Sequence, residues 1–307
     1  MRDAFIEELT LLAELDPDII LITGDLGFGI FDDFSRRFPN QFLNVGVAEQ
    51  NLMMVSAGMA LEGKKVYAYS IGNFPTQRCL EQIRNDICYH DLNVTIIGMG
   101  GGFSYGQLGM SHHATEDISI IRALPNILVL APTSSFEVRE TIKSLYKLEG
   151  PAYLRLDKSQ YSDISESLGF NFGNANTLRE GASASLICAG GIMEEVIKAA
   201  DELSVEGIQC RVISMHTIKP IDEKAIKLAS EETGGIISIE ENTIIGGLGS
   251  AIAECCLESD YHPGFFKRIG LKDCYSSIVG DQKYLRNYYE MDSESIKNIV
   301  KKYTLNH

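Results

Sequence analysis

The amino-acid sequence predicts an α/β protein of two domains, each a mostly parallel β-sheet flanked by helices. Three observations carry this. The 307 residues suffice for two domains at roughly 150 residues each. Short apolar runs without polar alternation recur between amphipathic segments, the pattern of parallel strands covered on both faces. A stretch rich in Ser, Asn, Gly and Asp, residues 157–178, interrupts this pattern once. Residues 1–156 and 179–307 are therefore expected as two domains, with 157–178 as the linker.

The elements follow in order. Phe5, Leu9 and Leu12 recur at helical spacing, and Asp16-Pro17-Asp18 ends that helix. Ile19-Ile20-Leu21-Ile22 reads as a buried strand ending at Gly24. Ala48, Leu52, Val55 and Met59 mark one face of a second helix, stopped by Gly63. Val66 to Tyr69 is a strand, Leu80, Ile83 and Ile87 mark a third helix, and Val94 to Ile97 is a further strand. Ile127 to Leu130 is a strand. Ser134-Ser135-Phe136-Glu137 is a capping-box start for a helix carrying Val138, Ile142 and Leu145, and Ala152 to Leu156 completes the first half. In the second half, Leu186-Ile187-Cys188, Val212-Ile213-Ser214 and Ile236 to Ile239 read as strands. Val196, Ala200 and Leu203 lie on a helix, and another helix follows Gly246-Gly247.

Composition narrows the function classes. Hydrophobic residues make up 45% and charged residues 22%, which excludes disorder as the main state. No apolar run approaches the roughly 18 residues of a membrane span. The start Met1-Arg2-Asp3-Ala4-Phe5 lacks the apolar region of a secretory signal, so a cytoplasmic location is expected. A net charge of −15 disfavours nucleic acid as a partner, and an anionic substrate would need local Arg or Lys. The seven cysteines form no Cys-x-x-Cys and read as reduced, buried small hydrophobes.

Three segments could carry chemistry. Glu49 falls in the first turn of the second helix, where a carboxylate also suits the helix dipole. The loop Gly98 to Gly102, with Gly106 and Gly109, leads to Ser111-His112-His113. Its spacing fails as a dinucleotide fingerprint. Adjacent His side chains diverge and no third ligand sits at a helical offset, so no metal is expected there. His112 and His113, on a Gly-rich loop after a strand, are better placed for substrate contact. Gly246-Gly247-Leu248-Gly249 reads as close helix–strand packing rather than a phosphate loop.

Taken together these segments resemble the transketolase family of thiamine diphosphate enzymes, over nearly the whole chain and in order. Gly24-Asp25 matches the start of its pyrimidine-binding domain, and Gly46-Val47-Ala48-Glu49-Gln50-Asn51 the segment with its catalytic Glu. Ser111-His112-His113-Ala114-Thr115-Glu116-Asp117 and Arg122-Ala123-Leu124-Pro125-Asn126 match two further stretches. Thr217-Ile218-Lys219-Pro220-Ile221-Asp222 and Glu240-Glu241-Asn242-Thr243-Ile244-Ile245-Gly246-Gly247-Leu248-Gly249 match the C-terminal domain.

The resemblance implies that Glu49 bonds the pyrimidine ring of thiamine diphosphate, a role suited to a carboxyl that shares a proton in a dry site. It implies that Phe74 stacks on that ring, and it counts Asp25 with them among the cofactor-binding residues. Arg2 and Arg155 would grip a sugar phosphate, and His112 would contact substrate oxygens at the reacting carbon. For Phe74, plain core packing is the alternative, and for Arg155 a surface charge at a strand end.

The family's Gly-Asp-Gly motif for the cofactor diphosphate and Mg²⁺ is absent from the sequence, and the likeness begins at Arg2. The resemblance therefore implies the pyrimidine-binding plus C-terminal subunit of a split transketolase, with an N-terminal partner subunit holding Mg²⁺ and the diphosphate in an α₂β₂ heterotetramer. Three positions depart from the family. Gly29 and Gly100 stand for phosphate-binding Ser and His, and Leu108 for an Asp that reads a donor hydroxyl. The two glycines are expected to widen the mouth of the site, and the acceptor to differ from the usual small aldose phosphate. Three alternatives stay open: the β subunit of a 2-oxoacid dehydrogenase, a synthase of the 1-deoxyxylulose phosphate type, and a non-catalytic regulatory partner subunit.

Overall fold

The computed structural model describes residues 1–158 and 169–304. Residues 159–168, within the stretch read as a linker, lie outside the described residues. Twelve strands form two sheets among the described residues. They are β1 (Ile19–Thr23), β2 (Phe42–Asn44), β3 (Lys65–Ile71), β4 (Val94–Met99), β5 (Leu128–Leu130), β6 (Ala152–Leu156), β7 (Asn176–Arg179), β8 (Ala184–Cys188), β9 (Cys210–Ser214), β10 (Thr217–Lys219), β11 (Ile236–Thr243) and β12 (Phe266–Leu271).

The first sheet has the order β10-β5-β6-β4-β3-β1-β2 and is parallel except for β10. Buried Leu, Ile and Val run continuously along β1 and β4, as two-sided burial demands. One face packs on helices Arg2–Leu15 and Ser135–Lys147 through Phe5, Leu9, Val138 and Ile142. The other packs on Glu49–Leu61 and on the segment from Leu80, which makes one α-helical turn and continues as a π-helix over Ile83–Cys88. Helix Glu49–Leu61 buries Leu52, Met53, Ser56 and Ala57, with Val55 and Met59 at the edge of the core. The buried stripe is thus turned from the one expected, because this helix is apolar on most sides and spacing alone does not choose its face.

The second sheet has the order β12-β11-β8-β9-β7, with β7 antiparallel at the edge. Asn176 to Leu178, placed by the sequence in the linker, instead form most of this edge strand, Asn176–Arg179. Its half-buried polar residues carry no apolar run to betray it. Strand β10 also crosses the expected domain boundary: Thr217 and Lys219 pair antiparallel with Leu130 and Val129 of the first sheet. The two halves share more than a strand. One apolar cluster runs from Ile20, Leu52 and Val94 to Ile187, Ile213 and Ile252. Ser134 caps its helix by accepting from the Glu137 N–H at 3.2 Å, and the Glu137 carboxylate accepts from Ser214 across the junction at 3.0 Å.

Six cysteines are buried as expected, and Cys274 is exposed. No helix among the described residues is long and apolar enough to cross a membrane.

The Gly246–Gly249 turn opens helix Leu248–Glu258, and an internal carboxylate occupies that helix start. The backbone N–H groups of Leu248 and Gly249 donate to the two oxygens of Glu240 at 2.8 and 2.9 Å. Burial pushes the Glu240 carboxyl up to about 7, against these two donors, which favour the ionised form. A folded-state value above the ordinary 4.5 means that protonation favours the fold. The contribution is complete below about 4.5 and is lost as pH rises through about 7. Urea unfolding should therefore show the wild type losing stability relative to Glu240→Gln across this window, and parallel pH curves would refute the assignment.

Candidate active site

The carboxyl ends of β1, β3 and β4 and the start of helix Glu49–Leu61 meet at one edge of the first sheet. Glu49 is the first residue of that helix and only 3% exposed. Asn44 prepares the turn ahead of it. Its side-chain oxygen accepts from the N–H groups of Asp25 and Gly46 at 3.1 and 2.9 Å, and its amide donates to Asp25 Oδ1 at 2.9 Å. Asp25, with φ of 59°, thus ties the exit of β1 to that of β2. Its carboxylate orients the turn to Glu49 and does not itself join the cluster described next.

The cluster forms where the chain leaves β3. Asn73–Thr76 is one helical turn, and Phe74 and Arg78, four residues apart, project toward Glu49 and the His112 loop. Arg78 Nη1 donates to Glu49 Oε2 at 2.5 Å, and its guanidinium carbon lies 4.8 Å from the Phe74 ring centre. The Phe74 ring meets His112 edge-on at 5.1 Å. Asn73 donates to the carbonyl of Ser111 at 2.7 Å, and Ser111 Oγ shares a hydrogen bond with His112 Nδ1 at 3.0 Å. Gln77 donates to Glu116 at 3.1 Å. Glu49, Phe74 and His112, far apart in sequence, are thus brought together.

The same cluster offers unmet polar capacity. Ser70 Oγ and Asn73 Oδ1 are buried and without a hydrogen-bond partner. A side chain at Gly24 would touch both Glu49 and Ser70, so the two line one recess. A buried carboxylate, an aromatic face and unsatisfied buried oxygens fit a flat heteroaromatic ring carrying nitrogen donors. Among the described residues no group of three or more His, Cys, Asp or Glu is placed to hold a metal ion.

Two expected substrate residues are placed otherwise. Arg155 is 2% exposed. Its guanidinium faces Asp117 at 3.4 Å and Asp157 at 3.5 Å and donates to the Glu241 carbonyl at 2.8 Å. It is neither a surface charge nor open to a phosphate, because β6 is a central strand whose side chains are buried on both faces. His113 is 2% exposed and both its ring nitrogens are engaged, with the Gly106 carbonyl at 3.1 Å and Ser276 Oγ at 2.6 Å. It is a strut, not a substrate contact.

Arg2 stays exposed at the start of the first helix. The expected widening occurs at Gly29, where a side chain would meet nothing, but not at Gly100, where the Tyr105 ring fills the space beside the backbone. Leu108 is exposed. Tyr105 also carries Lys158, whose ammonium lies 3.8 Å from the ring centre. Both lie on a cavity of about 390 Å³ with Gln107 and Leu108. Burial and nearby Arg2 lower the pKa of Lys158.

Sequence reasoning missed Arg78, Tyr105 and Lys158 as site residues. The signal for Arg78 was its place one helical turn after Phe74. For Lys158 there was none beyond its place after β6.

The transketolase pyrimidine-binding domain family matches residues 1–163 and the transketolase C-terminal domain family matches residues 173–296. One of the subunits named for apulose-4-phosphate transketolase, from Phocaeicola vulgatus, is 37% identical over 298 residues, which is 96% of this chain and 94% of that protein. The 6-deoxy-6-sulfo-D-fructose transketolase subunit SqwH of a Clostridium species is 34% identical, over 96% of this chain and 92% of its own length. A solved split-gene transketolase, described as an inactive β4 tetramer, superposes with a TM-score of 0.89 at 33% identity, covering 99% of this chain and 98% of that one. The chain belongs to the transketolase family. It matches the C-terminal subunit of a split transketolase and has the expected fold of that subunit.

The burial of Arg155 makes a direct test. Arg155→Met should lose about 3–5 kcal/mol in urea unfolding, the usual effect of removing one partner from a buried ion pair. Wild-type stability combined with a raised KM for a phosphorylated sugar would return Arg155 to the substrate.

Proposed function

We propose that this chain is the pyrimidine-side subunit of a thiamine diphosphate-dependent transketolase that moves a two-carbon ketol unit between sugars. In this reading a partner subunit carrying a Gly-Asp-Gly motif holds Mg²⁺ and the diphosphate, and two copies of each chain assemble as an α₂β₂ heterotetramer. The observation that carries it is the buried Glu49 carboxylate at a helix start, grouped with Phe74 and His112. Membership of a family whose split members are named as subunits supports the partner.

Glu49 and Phe74, with the unpaired Ser70 hydroxyl beside them, would hold the aminopyrimidine ring. When bound, thiamine diphosphate supplies the nucleophilic carbon and the electron sink. Glu49 would share a proton between its carboxyl oxygen and the ring nitrogen, in a recess from which water is largely excluded. Arg78 balances the carboxylate until that partner arrives. His112, half-buried and steadied by Phe74 and Ser111, presents its free Nε2 side to substrate oxygens and can hold or pass a proton there.

The substrate is an anionic sugar. A chain of net charge −15 attracts such a molecule only through local cations, and Arg2 and Lys158 are those cations. The relatives named for apulose 4-phosphate and 6-deoxy-6-sulfofructose support this class. The filled space at Gly100 and the open space at Gly29 support an acceptor shaped differently from a small aldose phosphate.

Calorimetric titration should show thiamine diphosphate with Mg²⁺ binding to the mixed subunits and not to this chain alone. In the reconstituted enzyme Glu49→Gln should lower kcat about a hundredfold or more, the range of a lost acid–base group. Unchanged turnover would make the chain a regulatory partner, and tight binding to the lone chain would remove the need for a partner site.

A further inference from the structure

Among the described residues, the second domain contributes no side chain to the cluster of Glu49, Phe74 and Arg78, yet it grips both ends of the loop that carries His112. That loop leaves β4 and is closed at its base by paired backbone bonds. Gly102 N donates to the Ala114 carbonyl at 2.8 Å, and Ala114 N donates back at 3.0 Å. At the entry, Phe103 N donates to Glu241 Oε1 at 2.5 Å. Glu241 lies on β11 of the second sheet and is 4% exposed. Its other oxygen accepts from Arg286 Nε at 2.5 Å, and Gln282 donates to both oxygens at 2.9 and 3.2 Å. The backbone sits directly on this carboxylate: a Cβ at Gly102, whose φ is +56°, would lie 2.6 Å from Glu241 Cγ.

At the exit the grip is His113. The Gly106 carbonyl can only accept, so Nε2 carries the proton and Nδ1 accepts from Ser276 Oγ at 2.6 Å. Phe103 stacks on Tyr289 at 5.4 Å and meets the His113 ring edge-on at 5.4 Å, which joins the two grips. Thr243 N, further along β11, donates to the Thr115 carbonyl at 2.6 Å. Between the two grips, Met110, Ser111 and Leu108 are exposed, His112 turns back to Phe74, and the Ser111 carbonyl accepts from Asn73.

We infer that Glu241 and Ser276 are positioning residues: through the two ends of this loop the second domain sets where His112 stands relative to Glu49. The inference rests on His112 being a substrate contact. A buried carboxylate with every acceptor site used is costly to displace, so it transmits position rather than yielding to it. Ser276 acts one bond further out, through His113.

Hydrogen exchange on the isolated chain tests the grip without turnover. Ser276→Ala and Glu241→Gln should speed exchange of the 104–112 amides about tenfold or more, while helix Glu49–Leu61 keeps its wild-type rates. In the reconstituted enzyme the same variants should lower kcat/KM for the ketose donor about ten- to a hundredfold, as small displacements of a reacting group do. Affinity for thiamine diphosphate should stay within about twofold, because Glu49 and Phe74 are untouched. Glu241→Gln retains a carbonyl for Phe103 N and should keep more activity than Glu241→Ala. Ser276→Ala deletes one hydroxyl and carries the test if the Glu241 variants fail to fold. Unchanged loop exchange in folded variants overturns the inference, and so does faster exchange with wild-type kcat/KM. A wild-type pair without ketol transfer overturns instead the functional reading, while loop exchange still decides whether Glu241 and Ser276 hold the loop.

Discussion

Arg155 stands on a central strand with 2% of its surface exposed, where an unpaired guanidinium would lose several kcal/mol of hydration. Asp117 and Asp157 face it, and the Glu241 carbonyl accepts from it. Each of these groups is tied onward. Tyr153 donates to Asp117, Gly191 N of the second domain donates to Asp157, and the Glu241 side chain takes Phe103 N and Arg286. The charge on one strand thereby fixes the seam between the sheets and the base of the glycine loop that lies on it. Arg155 Nε and Asp157 Oδ1, 3.5 Å apart, have no hydrogen-bond partner, so removing either charge would leave the other buried and unmatched.

Strand β11 shows how the second domain serves two ends with adjacent residues. Successive side chains on a strand point to opposite faces. Glu240 turns to the helix that begins at Leu248 and takes its free N–H groups, while Glu241 turns to the first domain and takes the loop. The Gly-rich turn after β11 therefore has its anion already, within the chain. The crossing of β10 into the first sheet and the continuous apolar cluster join the two domains along this seam.

Most strands were legible because two-sided burial writes itself as an apolar run: β1, β4, β6, β8 and β9 need no other signal. The strands that escaped, β2, β7, β10 and β12, are short or lie at sheet edges, and most of their residues are half-buried and polar or mixed. Their structure comes from the neighbour they pair with, which spacing along the chain does not encode. Residue chemistry was legible at the site in the same partial way. Glu49 and His112 stood out by their place at a helix start and on a glycine loop. What separates Arg155 from a ligand is burial, and the signal for it was present: Ala152-Tyr153-Leu154-Arg155-Leu156 is apolar on both faces, so its one charge faces inward and needs the carboxylate that follows at Asp157.

Arg78 and Arg155, both paired with carboxylates near the site, show why exposure decides role. Arg78 and Glu49 form a shorter contact than Arg155 makes with either aspartate. Yet the Arg78 side chain is 49% exposed, and water solvates its guanidinium as well as Glu49 does. Releasing it leaves no cation stranded. The carboxylate it leaves is 3% exposed and must find another donor at once. That asymmetry suits the proposed cofactor ring: the cation departs at little cost, and the vacancy favours a proton-bearing nitrogen in its place. Arg155 has no such exit, since withdrawing it would strand two buried aspartates together. An ion pair with one end in water can serve as a placeholder, and one with both ends buried can serve only as structure.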